Sequence, residues 1–437
     1  MVKDPNQTTT AMFITRWFSD LDWRLLFLVV PPLSLLIFLS VSSIPPINPF
    51  SSFPPLASFF FNRTTISSTA AANLTGLNRT VPIRPWKKDE LVRSRIAVCL
   101  VGGARRFELT GPSIVENILN VYPNSDLFLH SPLDDNSFKF SLLKIAPKIA
   151  SVRIFHPNPI PETESQVRVL TAANSPNGIQ GLLQYFNLVQ GCLTLIDDYQ
   201  KQHNFTYDWI VRTRVDGYWN APLDPNNFIP GQYLVPPGST YGGLNDRLGI
   251  GDYNASAIAL ARLSLIPKLD SSGFRMLNSE TSFRAQLTTH GVPSVTKRLP
   301  FCIVSDRKYG FPPNRYGVPV AAMSSSGPLS GAKCRPCTPV CEGKCVGEIM
   351  HWLDKGWSWT DWENGTLKLC DARENWEEGW EKIFDKVGGE QRSAARKRIR
   401  GLKWKQCVND FNEMKKRTFK WDSPPIEELC SMGVKKN

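Results

Sequence analysis

No internal repeat runs through this chain, and glycine and proline stand near their average shares, so repeat and collagen-like architectures are excluded. Long apolar runs are nearly absent. Only one stretch approaches the length of a bilayer, which rules out a multipass membrane protein. The spaced GxGxxG signature of dinucleotide sites is missing, and so is the paired-knuckle spacing of zinc ribbons. Acidic residues are in deficit, with 39 Asp and Glu against 51 Lys and Arg, a net charge of +12. That imbalance is local: Lys382 to Lys420 holds 13 basic and 4 acidic residues. An apolar fraction of 42% with 24 Phe supplies a core and excludes a wholly disordered chain. The 437 residues allow two or three domains.

The one long apolar run is Leu25 to Val41, uncharged and extendable to Ile44. Twenty residues at helical rise just cover a hydrocarbon core of about 30 Å. Arg16 and Arg24 precede it, and no Lys or Arg follows until Arg63. By the positive-inside rule residues 1–24 are a cytoplasmic tail, 25–44 a signal anchor through the lipid bilayer, and all later residues lumenal. A cleaved signal peptide is the alternative; it would need a 24-residue charged n-region and has no small-residue cleavage site after the run. Asn62, Asn73, Asn78, Asn204, Asn254 and Asn364 each begin an N-x-S/T sequon, all on the lumenal side. Residues 45–92, rich in Ser, Thr and Pro, read as a stem. This arrangement predicts a single-pass type II protein of the Golgi or endoplasmic reticulum.

Ten cysteines in an oxidising compartment predict disulfides. Cys99, inside an apolar strand, reads as a buried free thiol. Seven cysteines crowd the tail: Cys334, Cys337, Cys341, Cys345, Cys370, Cys407 and Cys430. Seven is odd, so at least one is free or bridges upstream. The C-x2-C-x3-C-x3-C run leaves a zinc site as an alternative. Residues 326–437 also hold eight of the 13 Trp and the basic run, and predict a small, largely helical, disulfide-stapled region with a helix over Glu390–Lys416. The basic face is a solvated surface or one that meets anionic headgroups or glycans. Lumenal topology argues against a nucleic-acid partner, and nothing in the pattern fixes an oligomeric state.

Residues 93–325 alternate strand and helix signals. Arg95–Val101 is a continuous apolar run suited to a strand buried on both faces, and it ends at Gly102-Gly103-Ala104-Arg105-Arg106. Asp126–His130 is a second strand. Ile179–Lys201 spaces Leu182, Leu183, Phe186, Val189, Leu193 and Ile196 as a helix. Further strands are expected at Tyr233–Val235 and Val295–Lys297. The alternation predicts a mostly parallel sheet between helices, with ligands at the carboxyl ends of the strands. Within Trp209–Asp216, period two puts Arg212, Arg214 and Asp216 on one side, which is costly in a dry core. Those charges fit a cleft for an anionic or metal-bound ligand; an internal Arg–Asp pair is the alternative. Arg105 and Arg106 after the double-glycine turn suit phosphate contacts. Glu280 follows Asn278, a helix cap, where an acid in the first turn is electrostatically favoured. Asp246 lies in a glycine-rich segment with Gly242, Gly243, Gly249 and Gly251, read as a loop.

The ordered stretches IAVCLVGGARRF, ENILNVYPNSDLFLHS, YDWIVRTRVDGYW, GGLNDRLGIGD and NSETSFRAQLTTHGV span Ile96 to Val292. Their order resembles glycosyltransferases of the GT-A fold, particularly divergent members that include plant single-pass proteins. The resemblance implies a GT-A-like, Rossmann-like α/β domain and transfer of a sugar from a nucleotide-sugar donor to a glycan, protein or lipid hydroxyl. It implies donor contacts from Gly102, Gly103, Arg105, Arg106, Arg212, Arg214 and Asp216, and a base at Glu280, with Asp246 as second candidate. In such enzymes a D-x-D motif holds a divalent cation, Mn or Mg, on the donor diphosphate. Here Arg214 replaces the first acid and only Asp216 remains as a metal ligand, so Arg212 or Arg214 is expected to neutralise the diphosphate. A non-catalytic lumenal binding protein that keeps the fold is the competing reading.

Overall fold

A computed structural model describes residues 88–173, 177–309, 319–350 and 366–436. The anchor, residues 45–87 of the expected stem and the sequons at Asn62, Asn73, Asn78 and Asn364 lie outside the described residues; the end of that stem, Lys88–Arg93, is a helix that buries Leu91 in the core. No helix among the described residues is long and apolar enough to cross a membrane. The described residues form a mixed α/β unit with two sheets.

β1 (Ile96–Val101), β2 (Ser125–Pro132), β3 (Ile149–Phe155) and β4 (Trp209–Arg214) run parallel in the spatial order β3-β2-β1-β4. Period-two alternation divides β1 between two cores. Ile96, Val98 and Leu100 face a layer that includes α1 (Phe107–Ile114), while Ala97, Cys99 and Val101 face α2 (Gly178–His203). Helices on both faces explain why every β1 residue is apolar and buried.

After β4 the chain turns at Val215–Asp216 and leaves this sheet. β5 (Gly217–Trp219) begins the second sheet, while β6 (Tyr233–Val235), β7 (Leu248–Asp252) and β8 (Ser294–Thr296) return to the first. β7 is antiparallel to β4 and β6. β9 (Phe301–Val304), β10 (Pro319–Ala322), β11 (Lys333–Arg335), β12 (Cys341–Glu342) and β13 (Lys368–Asp371) complete the second sheet in the order β12-β13-β10-β11-β9-β5. α3 (Tyr253–Leu260) and α4 (Ser279–Thr289) join α2 on one face of the first sheet. α5 (Trp380–Arg400), α6 (Trp404–Arg417) and α7 (Ile426–Ser431) supply Ile399, Phe411, Met414 and Leu429 to the opposite face.

Four expectations and one alternative reading are corrected. Cys99 is not a free thiol. It faces α2, whose Cys192 lies with Cα 6.2 Å away, and the two form a disulfide; strand and helix faces meet only in three dimensions. The tail cysteines do not converge on zinc either, because they go to Cys302–Cys334, Cys337–Cys370, Cys341–Cys345 and Cys407–Cys430. Cys334 is the one that bridges upstream. The Gly249–Gly251 part of the expected loop is strand β7, where absent side chains let the Tyr233 ring lie across it: a Cβ on Gly249 would sit 2.0 Å from the Tyr233 hydroxyl oxygen. The single helix expected over Glu390–Lys416 is two, broken at Gly401, with Lys403 extended before α6. The tail is no separate helical region: β14 (Lys420–Asp422) adds to β3 as the parallel edge of the first sheet, and β11 to β13 build the second.

Candidate functional site

The site lies where the chain passes from one sheet to the other. Val215 N–H donates to Val101 O at 3.0 Å, tying the end of β4 to that of β1. Val304 N–H donates to Asp216 O at 2.9 Å, tying the same turn to β9. Thr110 Oγ1 donates to Val215 O at 2.6 Å. Gly102 has φ +125°, which strains any residue with a side chain, and a Cβ on Gly103 would stand 2.3 Å from Asp134 Oδ2. The backbone angle therefore calls for glycine at Gly102, while a side chain at Gly103 would have to displace the Asp134 carboxylate.

A cavity of about 460 Å³ opens at the carboxyl ends of β1 and β4. Gly102, Gly103, Arg105, Arg214 and Asp216 all line it, from segments more than a hundred positions apart in sequence. Asp216 is 3% exposed and accepts from Arg214 through both oxygens, at 2.8 and 2.7 Å, with Arg105 Nη1 at 3.6 Å. Burial alone would raise the Asp216 carboxyl, but Arg214, then Lys333 and Arg105, override it and hold the group well below the usual carboxylate range.

Two expected donor residues lie elsewhere. Arg106 turns away to Asp306, with Nε at 2.9 Å from Oδ1, and stacks on Trp376 at 4.3 Å. Arg212 is 1% exposed and sits deeper along β4, near Tyr185, Tyr233 and Asp246; its Nε and Nη1 find no hydrogen-bond partner.

Glu280 and Asp246 form a second cluster. Asn278 caps α4 by accepting from Thr281 N at 2.8 Å, which places Glu280 in the first turn as expected. A Cβ on Gly243 would lie 1.9 Å from Glu280 O, so this glycine lets the loop press on the helix start. Asp246 accepts from Ser279 Oγ at 2.6 Å and faces Arg262 Nη1 at 3.7 Å, rather than pairing with its neighbour Arg247. Burial raises the Asp246 carboxyl, but Arg262, Arg212 and the Ser279 hydroxyl outweigh it and keep it ionised. Glu280 takes the opposite course. Half-buried, it is pushed up to about 8 by burial and by the Asp246 charge. Two neighbouring carboxyls with separated proton affinities are the pattern of an acid–base site. Glu280 does not line the cavity; Tyr185 does, and its hydroxyl donates to Asp246 O at 3.0 Å, linking the two clusters.

A family model described as a domain of unknown function, DUF7796, matches residues 91–436. The chain belongs to this family. The DUF7796 match therefore takes in both sheets and every described candidate residue. No curated protein matches the chain. Among solved structures, that of mouse xyloside xylosyltransferase 1 in its apo form aligns at 12% identity, covering 47% of this chain and 85% of that one, with a TM-score of 0.29.

The cavity's residues do not fit the divalent cation of the D-x-D pattern. Asp216 gives both oxygens to Arg214, and no group of three or more His, Cys, Asp or Glu among the described residues could hold a metal. Two charged cavity residues escaped the sequence reading of the DUF7796 chain: Arg307, after β9, and Lys333, at the start of β11. Lys333 precedes the Cys334 that bridges upstream, and that adjacency was the one available signal. Asn204 ends α2 in the left-handed region (φ 52°), Asn254 opens α3, and both are exposed, as sequon asparagines need to be.

Proposed function

We propose that this protein is a nucleotide-sugar-dependent glycosyltransferase, anchored as a single-pass type II protein of the secretory pathway. The supporting observation is the cavity at the carboxyl ends of β1 and β4, where sequence-distant Gly102, Gly103, Arg105, Arg214 and Asp216 meet. In this reading the donor diphosphate lies against Arg105 and Arg214, whose guanidiniums offset the charge that develops as it leaves. Glu280 takes the proton of an acceptor hydroxyl on a glycan, protein or lipid, and Asp246, held by Ser279 and Arg262, sets the Glu280 proton affinity. The five disulfides fit an oxidising compartment.

The experiment is calorimetric titration of the full chain, in detergent, with a panel of nucleotide sugars, followed by assay of nucleoside diphosphate release with candidate acceptors. Binding of one donor, with release, is expected. A folded protein that binds no donor overturns the proposal. One observation favours the competing reading, a lumenal binding protein: Asp216 is locked into a bidentate pair with Arg214. Donor binding with no turnover across all acceptors would select that reading.

A further inference from the structure

We propose that Arg105, Arg214, Arg307 and Lys333 form a diphosphate site that works without a divalent cation, their charges standing where a metal ion would. The identity of the ligand as a nucleoside diphosphate rests on the donor reading above; the anion chemistry does not. Four basic side chains from four chain segments wall one cavity, and among the described residues Asp216 is the single carboxylate in its walls. Arg214 already satisfies that carboxylate through both oxygens. The remaining positive charge faces the cavity, where a dication would be repelled and a diphosphate attracted.

The cations are held in place independently. Lys333 opens β11, which pairs with β9 and is stapled to it by Cys302–Cys334. The neighbouring Arg335, 1% exposed, donates to Glu374 O at 2.9 Å and to Arg307 O, fixing the backbone that carries Arg307. Burial lowers the Lys333 ammonium well below its ordinary range, Arg247 and Arg214 press it further, and Asp216 opposes them. A bound anion relieves that crowding. Amides of Asn158, Asn177, Gln184 and Asn187 line the same cavity and offer uncharged partners to the nucleoside.

The test is calorimetry on the full chain in detergent, with inorganic pyrophosphate and a set of nucleoside diphosphates, in EDTA and again in Mn²⁺. Pyrophosphate should bind equally in both, within about twofold, and Arg307→Met and Lys333→Met should each weaken it about tenfold or more. Lys333→Arg should restore most of the loss. Arg307 is exposed, so its variant folds even where Lys333→Met does not. Binding that requires Mn²⁺, or wild-type affinity in both methionine variants, overturns the proposal. Pyrophosphate binding in EDTA without any nucleotide-sugar binding sustains this site and sinks the transferase reading. Metal-dependent nucleotide-sugar binding does the reverse.

Discussion

Asp216 and Glu280 are both carboxyls near guanidiniums, yet their surroundings move them in opposite directions, and each direction can be measured. Asp216→Asn leaves the half-buried Arg214 without its counter-charge, so stability should fall by about 3 kcal/mol, read as a lower Tm. Because the folded Asp216 lies below its ordinary 3.8, its stabilisation is complete above that value and is lost as pH falls through the folded one. Wild type should therefore lose stability on acidification where the Asn variant does not. A lower Tm with unchanged donor affinity would identify the pair as structural only. For Glu280 the sign reverses. Between 4.5 and about 8 the native state keeps a proton that the unfolded chain has released, so stability falls as pH rises across that window. Glu280→Gln should flatten this slope and be the more stable above pH 8, by up to about 5 kcal/mol. In a transfer assay, wild-type kcat/KM should climb with pH to a plateau above about 8, and the Gln variant should lose about 100-fold or more and the climb with it.

At the scale of elements, a staple and a close contact hold the candidate residues in register. Cys99–Cys192 fixes α2 to β1 across a sequence separation of 93, and the loop-closure estimate for that length is about 4.5 kcal/mol. Replacing both cysteines by Ala should lower Tm accordingly while leaving the β1–β4 pairing intact by circular dichroism. Gly243→Ala should cost about 2 kcal/mol, since a Cβ 1.9 Å from Glu280 O forces loop and helix apart. It should also bring the Glu280-linked pH slope back toward that of an ordinary glutamate. What the sequence disclosed follows the same physics. β1, β2 and α2 were legible because each buries a long apolar run or stripe with a single period. β7 hid behind Gly249 and Gly251, whose lack of side chains serves Tyr233. The strands of the second sheet hid because they are two to four residues long, too short to show a period. Glu280 was visible through its cap at Asn278, whereas Lys333 and Arg307 reach the cavity by sheet pairing that no local pattern encodes.

Across the whole molecule the two sheets share residues from both ends of the domain, so no cut between 93–325 and 326–437 leaves a complete core. A chain ending at residue 325 loses β11, β13 and β14 and uncovers Leu142, Leu143 and the other apolar residues that α6 and α7 shield. It should be insoluble or bind hydrophobic dyes strongly, and light scattering on secreted material would check this. Arg106 belongs to this scale too. Expected at the donor, it instead joins Asp306 to Trp376, so Arg106→Ala should loosen the two sheets' junction and lower stability by about 1–2 kcal/mol, read as a lower Tm, without touching pyrophosphate affinity.

The pairing of β14 with β3 has a consequence for synthesis. Ser151 on the inner strand and Lys420 on the edge strand are 269 positions apart, so the ribosome delivers one long before the other. At roughly 5–20 residues per second the nascent chain spends about 15–50 s with β3 as an unpaired parallel edge, its backbone donors open to any other strand. Chaperones should therefore engage chains stalled short of residue 420 and release those that reach it.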